Sequence, residues 1–158
     1  MKKLICWSVL LICVGLQSCQ NTTSEKKVAN DAAIQEKPLA VTCYQSIYER
    51  DSISLQLNTL KGGKIIGDMV MRFYDSPVKK GTVSGTISGD TIFVSYTFIE
   101  GTNKKVTFKN PMAFLKRGDS LVLGNGKMQT TMGATYFVKG EPIDFVRVKF
   151  KFLTVDCK

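Results

Sequence analysis

From Cys43 towards the carboxyl end, apolar and polar residues take turns. Ile53, Leu55 and Leu57 alternate with Ser54, Gln56 and Asn58. Ile65, Met69, Met71 and Phe73 share one face of a second stretch, with Asp68 and Arg72 on the other. Val146, Val148, Phe150 and Phe152 alternate with Arg147, Lys149 and Lys151. A period of two is that of a strand with one face in a core and one in water. Turn chemistry punctuates the pattern at Lys61-Gly62-Gly63-Lys64, Asp75-Ser76-Pro77, Gly89-Asp90, Gly101-Thr102-Asn103, Gly118-Asp119 and Gly124-Asn125-Gly126. This spacing predicts about eight to ten short strands and no amphipathic helix. The expected fold is all-β: one small antiparallel meander closing into a β-barrel or sandwich. Closure favours the barrel, because it leaves no edge strand to aggregate.

Gly81, Gly85 and Gly89 recur every fourth residue. The polar residues between them exclude a membrane glycine zipper. Within a strand, Gly85 is expected to mark a bend or a close packing point against a ring such as Phe93, Tyr96 or Phe98.

The amino end follows a different rule. Lys2 and Lys3 precede the apolar run Leu4 to Leu16, which falls short of the roughly 20 residues a membrane-spanning helix needs. It reads as the core of a secretory signal. The run ends in Leu16-Gln17-Ser18-Cys19, which resembles the lipobox of bacterial lipoproteins, with Gln17 larger than the residue usual there. That resemblance implies cleavage before Cys19, whose sulfur would take a diacylglyceryl group and whose amine a fatty acyl chain such as palmitate. Residues 1–18 are then a signal peptide, 19–42 a lipidated flexible tether rich in polar residues, and 43–158 the barrel domain. No acidic cluster follows Cys19, so the expected location is the cell envelope, anchored in the outer membrane and facing the periplasm rather than the surface.

Cys6 and Cys13 belong to the signal and Cys19 to the anchor, leaving Cys43 and Cys157 at the two ends of the β region. In an oxidising compartment a disulfide is expected. The alternatives are a reactive thiol pair and a metal site, although no Cys-x-x-Cys spacing or histidine partner is present.

Cys43-Tyr44-Gln45-Ser46-Ile47-Tyr48, the segment Lys80 to Ile92 and Tyr96-Thr97-Phe98-Ile99-Glu100-Gly101 together resemble the small uncharacterised lipoproteins of Bacteroides-like bacteria. The resemblance runs over most of residues 43–157. It implies a lipocalin-like or META-like all-β domain and transfers no catalytic residue.

Among 158 residues there is no histidine, which removes Ser-His-Asp and Cys-His catalysis and the usual neutral-pH base. Glu49 and Asp51 share a strand face by spacing, and Glu100 or Glu141 could join them as a hydrolytic carboxylate pair. All four lie beside turn signals, where acids are solvated or cap turns, and nothing supplies a nucleophile with an orienting base. A non-enzyme is expected, with no cofactor and no metal.

Lysine and arginine number 22 against 13 acids. Lys104, Lys105, Lys109, Lys116 and Arg117 form a candidate basic surface, and Arg147, Lys149 and Lys151 line the polar face of the last strand. No aromatic stripe interleaves with them, so nucleic acid is not the expected partner. Anionic lipid is the nearer polyanion in an envelope, set against a plain solubilising face. Asp51-Ser52-Ile53, Asp90-Thr91-Ile92 and Asp119-Ser120-Leu121 are similar to the O-glycosylation acceptor of such bacteria, making Ser52, Thr91 and Ser120 candidate sites; the bland alternative is turn geometry.

The leading functional expectation is a lipid-anchored binding or scaffolding barrel whose partner is the membrane, an envelope protein or a small apolar ligand. For an apolar ligand, Met69, Met71, Met112, Met128 and Met132 could line an adaptable pocket, or simply be core. The second is a protein-binding inhibitor module, since Gly133 to Gly140, containing Lys139, faintly resembles loops of lipid-anchored lysozyme inhibitors. The positive domain opposes encounter with a basic lysozyme.

Overall fold

A computed structural model describes residues 36–131 and 134–157. The signal segment, Cys19 and the tether as far as residue 35 lie outside the described residues, as do Met132 and Gly133. The remainder is all-β. The strands are β1 Ala40–Tyr48, β2 Asp51–Thr59, β3 Lys64–Arg72, β4 Lys79–Ser88, β5 Thr91–Glu100, β6 Phe108–Arg117 and β7 Ser120–Leu123. Four short ones follow, β8 Asn125–Gly126, β9 Met128–Thr131, β10 Ala134–Phe137 and β11 Ile143–Asp144, before β12 Lys151–Val155. β1 to β7 form an antiparallel meander, and β12 pairs with both β7 and β1 to close an eight-stranded barrel. Between β7 and β12 the chain builds two small two-stranded sheets, β9–β10 and β8–β11.

β1 begins at Ala40, inside the stretch assigned to the tether, because Ala40 to Thr42 extend the ladder opposite Thr59 to Leu57. The alternation over β2 and β3 behaves as expected, and β5 shows the same period. Ile53, Leu55, Leu57, Ile65, Met69, Met71, Ile92, Val94, Tyr96 and Phe98 all face the barrel axis and are buried. Val83, Met112, Phe114, Leu121 and Phe152 complete the packing. Eight strands is the size at which side chains fill a barrel or leave room for one small ligand; here a contiguous core occupies the axis. Tyr96 is buried in it and donates from its hydroxyl to the Met69 carbonyl at 3.1 Å. Met69, Met71 and Met112 belong to this core, whereas Met128 is exposed on β9, so these four methionines do not line a common pocket.

Gly67, Gly81 and Gly85 also face inward. A Cβ at Gly85 would run into the Phe93 carbonyl and the Val94 backbone of β5, and one at Gly81 into Thr97 and Phe98. The close neighbour is therefore a strand backbone rather than the expected ring. Such glycines let a strand bend sharply enough to close a narrow barrel.

Two expectations for the C-terminal part are corrected. Gly124-Asn125-Gly126 is not a turn; it leads into β8, with Gly124 just before the strand beneath the Phe145 ring and Gly126 within it beneath the Phe137 ring, neither with room for a side chain. Val146 to Phe150 is not strand. The Asp144 carboxylate accepts from the amides of Val146 (2.8 Å) and Arg147 (3.1 Å), a local turn that competes with the ladder. Val146 is left 81% exposed, and only Lys151–Val155 joins the barrel. Arg147, Lys149 and Lys151 consequently do not form one stripe.

Cys43 and Cys157 are joined in a disulfide with Cα atoms 5.2 Å apart. The bond ties the first barrel strand to the residue just beyond the last.

Candidate functional site

One end of the barrel carries the β1–β2 turn, the β3–β4 loop (residues 73–78), the β5–β6 loop (101–107) and the segment running into β12. Its rim is aromatic and charged. Phe73 lies 5.9 Å from Phe150, which meets Tyr48 edge-on at 6.2 Å. Phe98 stacks between Tyr96 (4.6 Å) and Phe108 (5.4 Å). Three cations sit over these rings: Lys79 over Phe73 and Phe98, Lys149 over Tyr48 and Phe150, and Arg50 only 3.1 Å above Tyr74. Cation–π attraction contributes about 0.5–1 kcal/mol at an exposed ring.

Asp51 fastens this end together. Its carboxylate accepts from the Tyr74 amide at 2.9 Å and from the Lys149 ammonium at 2.9 Å. The Tyr74 N–H and then the Lys149 contact hold its carboxyl below the ordinary range, and Asp51 in turn raises the lysine. Lys79 pairs with Glu100 at 3.3 Å, and Lys127 with Glu141 at 3.6 Å. Of the candidate carboxylate group, Asp51, Glu100 and Glu141 are thus each engaged with a different cation. Glu49 and Asp51 do not share a strand face, since Glu49 occupies the turn in a left-handed conformation (φ 53°).

The candidate basic surface divides. Lys104, Lys105 and Lys109 lie on or beside the β5–β6 loop, whereas Lys116 and Arg117 end the same strand at the opposite mouth. Seven residues of strand put them roughly 23 Å apart. Around the first three, residues 101–110 are exposed throughout, including Val106 and Phe108. The loop therefore interleaves cations with apolar side chains, Lys104-Lys105-Val106-Thr107-Phe108-Lys109.

Ser52, Thr91 and Ser120 each stand at or next to the start of a strand after a two-residue turn and are partly buried. They are not gathered, since Ser52 is at the loop-bearing end and the other two at the opposite mouth. Ser120 donates to the Arg117 carbonyl at 2.7 Å, the turn role of the bland alternative, and Asp51 is committed to its clasp. Lys139 follows the β9–β10 hairpin in an exposed turn.

A feature the sequence did not point to is a recess of about 570 Å³ on the outer wall. Outward side chains of β1, β2 and β3 line it, among them Gln45, Ser54, Gln56, Asp68 and Val70, with Val155 and Asp156 on the C-terminal side. Register explains the grouping. Gln45 stands opposite Ser54, and Gln56 opposite both Cys43 and Asp68. The partners are distant in sequence, so alternation alone could show that these residues face out but not that they meet.

No protein-family description, curated protein or solved structure matches the chain.

Proposed function

We propose that this protein is a lipid-anchored, non-enzymatic binding module of the bacterial cell envelope, and that it holds anionic lipids at the loop-bearing end of its barrel. The amino-terminal signal and lipobox, with the resemblance to envelope lipoproteins, support anchoring through Cys19 in the outer membrane, facing the periplasm. The filled axis directs the search to the outer surface. The observation that carries the reading is the β5–β6 loop, where Lys104, Lys105 and Lys109 alternate with the exposed Val106 and Phe108. A cation near an anionic lipid surface contributes about 1 kcal/mol, and apolar side chains entering the headgroup boundary add about 25 cal/mol per Å² buried. Tyr48 and Tyr74, both exposed at the same end, suit that boundary because their rings are apolar and their hydroxyls polar.

The test is vesicle co-sedimentation of the chain carrying Cys19→Ser, so that the anchor does not mask the loop. Binding to vesicles containing phosphatidylglycerol, weakened by salt, is expected, with little binding to phosphatidylcholine alone. Replacing Lys104, Lys105 and Lys109 by Gln together is expected to weaken it by roughly tenfold or more, given 1.4 kcal/mol per decade. Equal binding to both vesicle types, or an unaffected triple variant, refutes the reading. Anchoring has its own check: Cys19→Ala is expected to release the protein from the membrane fraction.

A further inference from the structure

The outer-wall recess lies on a different part of the barrel from the loop-bearing end, and its chemistry is opposite. The chain carries a formal charge of +9, yet no lysine or arginine lines this recess, while Asp68 and Asp156 do. Among the described residues neither carboxylate makes a hydrogen bond or ion pair, whereas Asp51, Glu100, Glu141 and Asp144 each hold a cation. Val70 and Val155 give apolar wall, and Gln45 and Gln56 add amide groups that both donate and accept. A concave site of a few hundred Å³ with an apolar wall and a few polar groups is the usual form of a small-ligand site.

We infer that this recess binds an organic cation, an alkylammonium or guanidinium group on an apolar stem. Asp68 and Asp156 stand on opposite sides of the recess, three strand spacings or roughly 14 Å apart. Each therefore holds a cationic head on its own side, with the stem along the neighbouring Val70 or Val155 and the Gln45 amide free to take a further hydrogen bond. An anionic ligand is disfavoured by two carboxylates in a recess that no lysine or arginine lines. The same chemistry has two sources, a free polyamine or the basic side chain of a peptide.

Assembly of the site depends on the disulfide. Asp156 sits between the last barrel residue, Val155, and Cys157, which is bonded to Cys43 on the recess's own floor strand. Reduction frees one of the two carboxylates from its position while leaving Asp68 in the β3 ladder.

The experiment uses the protein as it is made, in zwitterionic detergent micelles, titrated with 1,5-diaminopentane and separately with acetyl-Ala-Lys-Ala-amide. Two-dimensional NMR follows the amides of Gln45, Ser54, Val70 and Val155. Saturable shifts confined to these residues are expected. They should require at least about threefold more probe after Asp68→Asn, after Asp156→Asn or after reduction, the scale of one partly exposed charge pair. Asp90→Asn, in the β4–β5 turn, should leave them unchanged. A response to the diamine alone identifies a free amine as ligand, and a response to the peptide identifies a protein or peptide source. Absence of shifts with both probes, equal shifts around Asp75 and Asp90, or an unaltered titration in Asp68→Asn overturns the inference. Asp68 points outward and pairs with nothing among the described residues, so its variant keeps the barrel and the comparison stays valid.

Discussion

Closure of the barrel rests on its shortest ladders, and removing the disulfide should expose that weakness. β4 and β5 pair along their whole lengths, from Lys79 opposite Glu100 to Ser88 opposite Thr91. β12 pairs with β1 only from Cys43 opposite Val155 to Gln45 opposite Leu153, and with β7 only from Lys151 opposite Val122 to Leu153 opposite Ser120. Its main apolar anchor is Phe152, fully buried and edge-on to Phe114 at 5.4 Å. Cys43 and Cys157 are 114 residues apart, and a loop of that size restrains the unfolded chain by about 4–5 kcal/mol in the chain-entropy account. Replacing Cys157 by Ser, or both cysteines by Ala, is therefore expected to lower stability by about 4–5 kcal/mol and the melting temperature by roughly 12–25 °C. Urea titration gives the first number. Hydrogen exchange gives the location, because Lys151–Val155 should lose protection before β2 to β5 do. A loss under about 1 kcal/mol, with β12 still protected, would falsify this reasoning and assign closure to Phe152 and its neighbours alone.

Other outcomes follow from single contacts. Burial pushes the Tyr96 hydroxyl well above the ordinary tyrosine range, so the folded state keeps a proton that the unfolded chain gives up near pH 10. Stability should be full below about pH 10 and fall as pH rises above it. Tyr96→Phe should flatten part of that fall, measured by urea titration between pH 8 and 11, while removing about 1 kcal/mol at neutral pH with the bond to Met69; an identical alkaline fall in both proteins counts against Tyr96 as its source. Asp51 has the opposite sign. Its lowered pKa supports the loop-bearing end above about pH 4 and the support fades in more acid solution, so faster amide exchange at Tyr74 is expected there, and Asp51→Asn should show it already at pH 7. Gly85→Ala should destabilise by about 3 kcal/mol or more, since its Cβ meets β5 backbone. Gly89→Ala, in an open turn with φ 58°, should remove only about 1 kcal/mol; equal effects of the two would show that strand approach is not what Gly85 provides.

The barrel was legible wherever the two faces of a strand see different media. Ile53 to Leu57 announce their inward positions by alternation alone, and the two-residue turns at Gly89-Asp90 and Gly118-Asp119 fix the β4–β5 and β6–β7 hairpins. Legibility failed where local side-chain chemistry outweighed the pattern. Phe145 to Phe150 has a strand's period, but Asp144 captures two following amides and Phe145 is drawn over Gly124. The candidate sites were harder still. Lys104, Lys105 and Lys109 could be picked as a run, but nothing local says that Lys116 and Arg117 end up at the other mouth of the same strand. Asp51 meeting Lys149, and Asp68 and Asp156 lining one recess, are products of closure.

That closure also decides which part of the loop-bearing end is free to act. The segment between β7 and β12 returns across this end, where Phe150 packs on Phe73 and Tyr48 and the Phe150 carbonyl accepts from Leu123 at 3.1 Å. Lys149 and Asp51 then lock the β1–β2 turn to the β3–β4 loop, and Gly101 donates to the Val78 carbonyl at 2.8 Å. These ties stop at the foot of the β5–β6 loop. Beyond Gly101, the bonds that shape it are local ones, Asn103 to the Glu100 carbonyl and Lys105 to the Asn103 side chain. The rim is thus braced by contacts among its aromatics and most of its charges, while Lys104 and Val106 remain outside that bracing, above a base that Phe108 and Lys109 join through their pairing with Phe98 and Thr97. The proposed contact with a fluid lipid headgroup layer would use a firm base and an uncommitted tip, and at this end the β5–β6 loop is where the two come together.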